Sequence, residues 1–67
     1  MTGMRNNVRE RRKRAGYRQE DMAALLGVSR QTVIAIENDK YDPSLGLAIR
    51  IARLFQTQVE EVFFPDR

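Results

Sequence analysis

No cysteine, histidine or tryptophan occurs in this 67-residue chain. Without cysteine there are no disulfides and no thiolate nucleophiles; without histidine the commonest general base is missing, and without both the usual zinc sites cannot form. Long apolar runs are lacking too. Nothing approaches the ~20 residues that a bilayer-crossing helix needs, and no apolar signal core follows Arg5 and Arg9. We therefore expect a soluble, cytoplasmic protein with no membrane partner, no metal, no cofactor and no evident small-molecule effector. A chain of this length allows one domain, residues 1–67, with a small core and no room for a catalytic domain plus a substrate domain. Nothing in the residues supports an enzyme. Stability has to come from packing, ion pairs and self-association.

What is present is positive charge concentrated in one segment. The formal net charge is only +3. Between residues 5 and 18, however, Arg5, Arg9, Arg11, Arg12, Lys13, Arg14 and Arg18 face a lone acid, Glu10. Such a field favours a polyanion over a neutral ligand, and a solvated basic helix face is the competing explanation.

Taken in order, residues 1 to about 5 read as a loose arm, and Asn6 or Asn7 can cap a first helix that runs to about Ala15 and stops at Gly16. Its apolar stripe is thin. Met4 and Val8 stand four apart, and the next turn offers only Arg11 and Arg12, so one arginine is expected to point inward and to need a carboxylate. A second helix opens at Arg18-Gln19-Glu20-Asp21, with Met22, Ala23, Leu25 and Leu26 as its apolar face and Gly27 as its stop. Ser29 then caps a third helix, about residues 30–38, in which Val33 and Ile36 share a packing face while Thr32 and Ala35 fall on a neighbouring one. Two short helices joined through Gly27-Val28-Ser29 describe a helix-turn-helix over about residues 19–38.

Ser44 caps a fourth helix, Leu45 to Phe55, where only Gly46, Arg50 and Arg53 are expected to face water; this helix should be the central strut. Gly46 marks either a close neighbour or nothing. A short helix from Val59 to about Phe63 closes the core, and no strand is expected. Phe64 and Pro65 are then left as a lid over the core or as a subunit contact.

Several separated motifs now stand in order: Gln19-Glu20-Asp21-Met22-Ala23, Leu26-Gly27-Val28-Ser29-Arg30-Gln31-Thr32-Val33, Ile36-Glu37-Asn38, and Lys40-Tyr41-Asp42-Pro43-Ser44-Leu45. Together they resemble the Cro and phage-repressor type of helix-turn-helix domain, the xenobiotic-response-element family, from about Asn6 to Phe63. The resemblance implies an all-α, lambda-repressor-like bundle of five helices that binds double-stranded DNA with the Ser29 helix in the major groove. It assigns Arg30, Gln31 and Ala35 to bases, and Gln19, Asn38 and Lys40 to phosphates. Arg12 and Glu37 match a buried ion pair. Three departures stand out. Arg18 replaces the usual Ser or Thr cap and brings a cation close to phosphate; Asp39 replaces a glycine; Ala35 could contact only a thymine methyl or exclude a base by its bulk.

The chemistry suits those roles. Arg30 can donate to O6 and N7 of guanine and Gln31 can bridge N6 and N7 of adenine, each pair worth ~1–3 kcal/mol of discrimination. A phosphate contact by Arg30, or a solvated Gln31, is the plainer alternative. Ser29 is a cap first, and with Thr32 it can also reach phosphate. The expected function is a sequence-specific transcriptional regulator, a repressor acting as a homodimer with Phe64 and Pro65 at the contact. The alternative is a protein-interaction module or antitoxin-like partner built on the same fold. The basic first helix is assigned to long-range attraction.

Overall fold

Five helices and a two-stranded sheet make up the computed structural model of the chain, which describes residues 4–65. In chain order they are β1 (Met4–Asn6), α1 (Val8–Ala15), α2 (Gln19–Leu26), α3 (Arg30–Glu37), α4 (Leu45–Leu54), α5 (Val59–Val62) and β2 (Phe63–Pro65). Four of the helices end in the same way, with one residue in the left-handed conformation and the next amide reaching back to close the last turn. Gly16 (φ 85°) and Gly27 (φ 71°) do this after α1 and α2, and Gln56 (φ 57°) does it after α4. After α3 the left-handed residue is Asp39 (φ 58°), and the Lys40 amide donates to Ala35 at 2.9 Å. The conformation that a glycine would adopt there is therefore kept by an aspartate.

Asn6 holds that turn. Its Nδ2 donates to the Ile36 carbonyl at 2.9 Å and to Asp39 Oδ1 at 3.1 Å, while its Oδ1 accepts from the Val8 amide at 3.0 Å. One side chain thus starts α1 and finishes α3. It sits at the end of β1, which pairs antiparallel with β2 in the register Met4–Pro65, Arg5–Phe64 and Asn6–Phe63. This corrects two expectations, the absence of strands and the loose arm. Met4 and Arg5 are sheet residues, and residues 1–3 of that arm lie outside the described residues. Strands of three residues are too short to show alternation in a sequence, and Phe63 leaves the fifth helix to join one.

The core is formed by Val8 of α1, Met22, Ala23 and Leu26 of α2, Val33 and Ile36 of α3, Leu47, Ala48, Ile51 and Ala52 of α4, Val62 and Phe63. Two leucines assigned to apolar faces lie outside it. Leu25 falls beside the buried stripe of α2, and Leu45 is 72% exposed in the first turn of α4. The fourth helix is therefore buried along one stripe only, and it is not apolar-packed all round. Arg50, expected in water, is exposed yet tied down, donating to the Leu26 carbonyl at 2.8 Å and so capping α2.

Gly46 has no close neighbour. A Cβ built there meets nothing within 4 Å, and its helical backbone suits any L-residue. Gly46→Ala should accordingly raise stability by up to about 1 kcal/mol in urea denaturation, and a loss would show that the first turn of α4 needs the glycine.

Candidate nucleic-acid interface

The third helix presents two kinds of side chain. At its start Ser29 Oγ accepts from the Thr32 amide at 3.2 Å and lies 3.0 Å from Thr32 Oγ1, so both hydroxyls support the first turn. Arg30 and Gln31 follow on the exposed edge, and neither side chain has a hydrogen bond or ion pair among the described residues. Ala35 is half-buried one turn further along that edge. Val33 and Ile36 point the other way, fully into the core.

Its far end is committed to the protein. The Glu37 side chain has no exposed surface, and its Oε2 accepts from Arg12 Nε at 2.5 Å while its Oε1 accepts from Arg12 Nη2 at 3.3 Å. Arg12 also donates to the Tyr17 carbonyl at 2.9 Å, so its guanidinium is satisfied although buried. Gln19 Nε2 donates to Glu37 Oε1 at 3.2 Å, and Arg9 approaches the same oxygen at 3.5 Å. Burial alone would push this carboxyl upward; donation from Arg12, then Gln19, together with the arginine charges, outweighs it and holds Glu37 below the ordinary carboxylate range. Asn38 is drawn in as well, its Oδ1 accepting from Arg9 Nη2 at 2.9 Å.

Around the start of α3 lies an open cleft of about 440 Å³ between α1 and the first turn of α2. Arg9, Arg12, Lys13, Arg18 and Arg30 line it with Gln19, and Glu20 is the one acid among the lining residues. Of the residues assigned to DNA, the fold brings Arg18, Gln19 and Arg30 together here. Lys40 is exposed in the loop beyond α3. Arg18 does not point freely outward. Its Nε donates to Asp21 Oδ2 at 3.2 Å, and Asp21 in turn accepts from the Arg18 backbone amide at 2.8 Å. These bonds hold the Asp21 carboxyl below its usual range and satisfy the Arg18 amide, while no side chain at position 18 accepts from the first turn of α2 as a serine would.

Arg9 and Lys13 are cleft residues that the sequence reading left out. Their spacing carried the signal: four residues apart, they share one face of α1. Asn6 was expected only as a cap of α1; its hold on the end of α3 had no such signal, since those partners lie thirty residues or more away.

Phe64 and Pro65 belong to β2, with Phe64 partly exposed. Nearby, Met4, Pro43, Leu45, Ala48, Val59 and Phe63 line an apolar depression of about 230 Å³. Among the described residues no group of acidic side chains could hold a metal ion, and no helix is long and apolar enough to cross a membrane.

Comparison with known proteins agrees with this geometry. A helix-turn-helix family model matches residues 8–62. An uncharacterised HTH-type transcriptional regulator of Methanocaldococcus jannaschii is 52% identical over 63 residues, covering 94% of this chain and 96% of its own. A second such regulator, from Bacillus subtilis, is 49% identical over the same shares of the two chains. Among solved structures, a hypothetical transcription factor from Neisseria superposes with a TM-score of 0.76 at 24% identity, over 87% of this chain and 67% of that one, a likeness of fold alone. A hydroxypropylphosphonic acid epoxidase from S. wedmorenis matches with a TM-score of 0.73 at 29% identity. That match covers 81% of this chain but only 29% of the epoxidase.

The Glu37 cluster sets two expectations. Arg12→Ala should cost ~3–5 kcal/mol in denaturant unfolding because it strands a buried carboxylate, whereas the double change Arg12→Met with Glu37→Leu should recover most of the loss. Equal losses in the single and double variants would mean that packing, not charge pairing, holds the site. Because the Glu37 pKa is lowered on folding, its contribution is complete above the unfolded value of about 4.3 and is lost as pH falls through the folded value. Melting temperature followed from pH 6 downward should fall less steeply for Glu37→Gln than for the parent.

Proposed function

The chain belongs to the helix-turn-helix family of transcriptional regulators, and on that premise we propose that it is a sequence-specific repressor that reads the DNA major groove with α3 as a homodimer. The observation that carries this reading is the division of α3. Its first turn offers Arg30 and Gln31 without a side-chain partner among the described residues, while its last turn is consumed by Glu37 and Asn38. A helix held at one end and unoccupied at the other is suited to entering a groove tip first.

The available donors and acceptors support a role for each residue. Arg30 has its whole fork free for guanine O6 and N7, and Gln31 has both halves of its amide for adenine N6 and N7. Ala35 brings a methyl group to thymine. Gln19 spends one amide proton on Glu37 and keeps the other for a phosphate; Asn38 gives its oxygen to Arg9, which aims its NH₂ outward for the same purpose. Ser29, Thr32 and Lys40 border the same surface. Arg18 would have to share its charge between Asp21 and a phosphate, so it contributes less than an unpaired arginine.

One reading helix covers only a half-site, and the second copy would meet this one at Phe64 and Pro65, in the strand whose Phe63 lines the apolar depression with Leu45. Burying that region against its own twin would remove exposed apolar surface from water. Occupying the operator in this way is sufficient to obstruct transcription.

Selection of bound duplexes from a random pool tests the reading in a single experiment. We expect an inverted repeat with half-site centres about one helical turn apart, and Arg30→Ala or Gln31→Ala should each relax one base position by ~1–3 kcal/mol. A pool that enriches nothing would overturn the regulator reading, and single half-sites without a repeat would overturn the homodimer.

A further inference from the structure

A second recess lies across α1 from the cleft that holds Arg30. Residues two apart on a helix point roughly 200° from one another, so Arg11 stands opposite Arg9 and Lys13, the α1 cations that line that cleft with Arg12. Together with Arg14 it lines an open depression of about 380 Å³, shared with Tyr17 and with Leu54, Phe55 and Gln56 at the end of α4. Two arginines and two aromatic rings meet there, and no acid is among the lining residues. The volume falls at the lower end of the ~300–1,000 Å³ usual for small-molecule sites.

We propose that this depression binds a small aromatic carboxylate, with the anion on Arg11 and Arg14 and the ring against Tyr17, Leu54 and Phe55. The inference goes beyond the reading of DNA and does not depend on it. Arg11 is ordered in advance: its Nε donates to Asn7 Oδ1 at 3.0 Å and its Nη2 to the Glu61 carbonyl at 3.3 Å. Nothing among the described residues takes its Nη1 protons. Arg14 is exposed and has no hydrogen bond or ion pair among the described residues, so its whole fork can meet a carboxylate. Gln56 keeps the left-handed conformation (φ 57°) that strains a residue with a side chain, and its amide has no hydrogen bond among the described residues. A glycine would close α4 with less strain; the glutamine brings a donor and an acceptor to the depression.

The apolar part is rigid. Tyr17, Leu54 and Phe55 are half-buried and packed against the core, which holds their remaining surface in place. Tyr17 is anchored through its backbone as well, its amide donating to the Arg12 carbonyl at 3.1 Å and its carbonyl accepting from Arg12 Nη1 at 2.9 Å. Binding therefore costs little side-chain freedom beyond that of Arg14. An anion without an apolar body would leave the rings in water, and a ring without charge would leave the guanidinium groups unused. The combination sets the class of ligand. Its lining residues come from α1, from the connection to α2 and from the end of α4, so no single stretch of sequence announces it.

Benzoate is the probe. The backbone amide spectrum of the full chain, free of DNA, would be followed as benzoate is added, with acetate and benzyl alcohol as the anion and the ring alone. We expect saturable shifts centred on Arg14, Tyr17, Phe55 and Gln56, and no saturation by acetate or benzyl alcohol over the same concentrations. Arg14→Gln, at an exposed position where the fold is indifferent to the change, should weaken benzoate about tenfold through loss of a charge-assisted pair. Arg53→Gln makes the same change in charge at an exposed position of α4 outside the lining and should alter binding by less than about twofold. Equal weakening by the two variants would reduce the effect to general attraction and overturn the site, as would shifts centred elsewhere. Tighter binding of hexaglutamate than of benzoate at the same amides would overturn it in favour of an acidic protein partner. With no duplex present, none of these outcomes bears on the reading of DNA by α3.

Discussion

The buried pairing of Arg12 with Glu37 is the interaction on which the other parts of this molecule depend. A guanidinium inside so small a core is tolerable only with its donors met, and they are met by α3 through Glu37 and by the α1–α2 connection through Tyr17. The carboxylate that receives it also takes Gln19 from α2 and the approach of Arg9 from α1. Three helices are therefore oriented around one charge. Their relative rotation decides which residues of α3 face outward, so the pair sets the direction in which the first turn of that helix projects.

The sheet works on the same helix from the other side. β1 brings Asn6 beneath the end of α3, where it supports a left-handed aspartate that would otherwise bear the strain of a position suited to glycine. The ion pair and this amide both grip the last turn of α3, and neither touches its first. Held in this way, the helix behaves as a peg fixed at its base.

Much of the architecture could be read from the residues because the helix ends are written in local chemistry. Gly16 and Gly27 supply left-handed stops, and Ser29 and Ser44 supply caps that accept from the third amide onward. The thin stripe of α1 already demanded that Arg11 or Arg12 turn inward. That the partner was Glu37 came only through family resemblance, because no spacing rule joins residues on separate helices. The strands escaped notice for a related reason: Met4–Asn6 and Phe63–Pro65, far apart in sequence, gain their meaning by pairing with each other. Leu25 and Leu45 were misplaced because periodicity shows that a helix has an apolar side but not how far the neighbouring helices extend to cover it. The candidate site divides along the same line. Arg30 and Gln31 were visible from their place after a cap, while the hold of Asn6 on the end of α3 appeared only when the fold closed.

The unequal burden along α3 bears on how such a protein could diverge. Among the described residues the side chains of Arg30 and Gln31 have no hydrogen bond or ion pair, so exchanging them would scarcely disturb folding, whereas a change at Glu37 would be felt by three helices. Preference for a new sequence could be acquired one residue at a time by descendants that inherit an unaltered scaffold. In a domain with so little stability to spare, keeping the exposed first turn apart from the residues that hold the helix leaves the first free to drift.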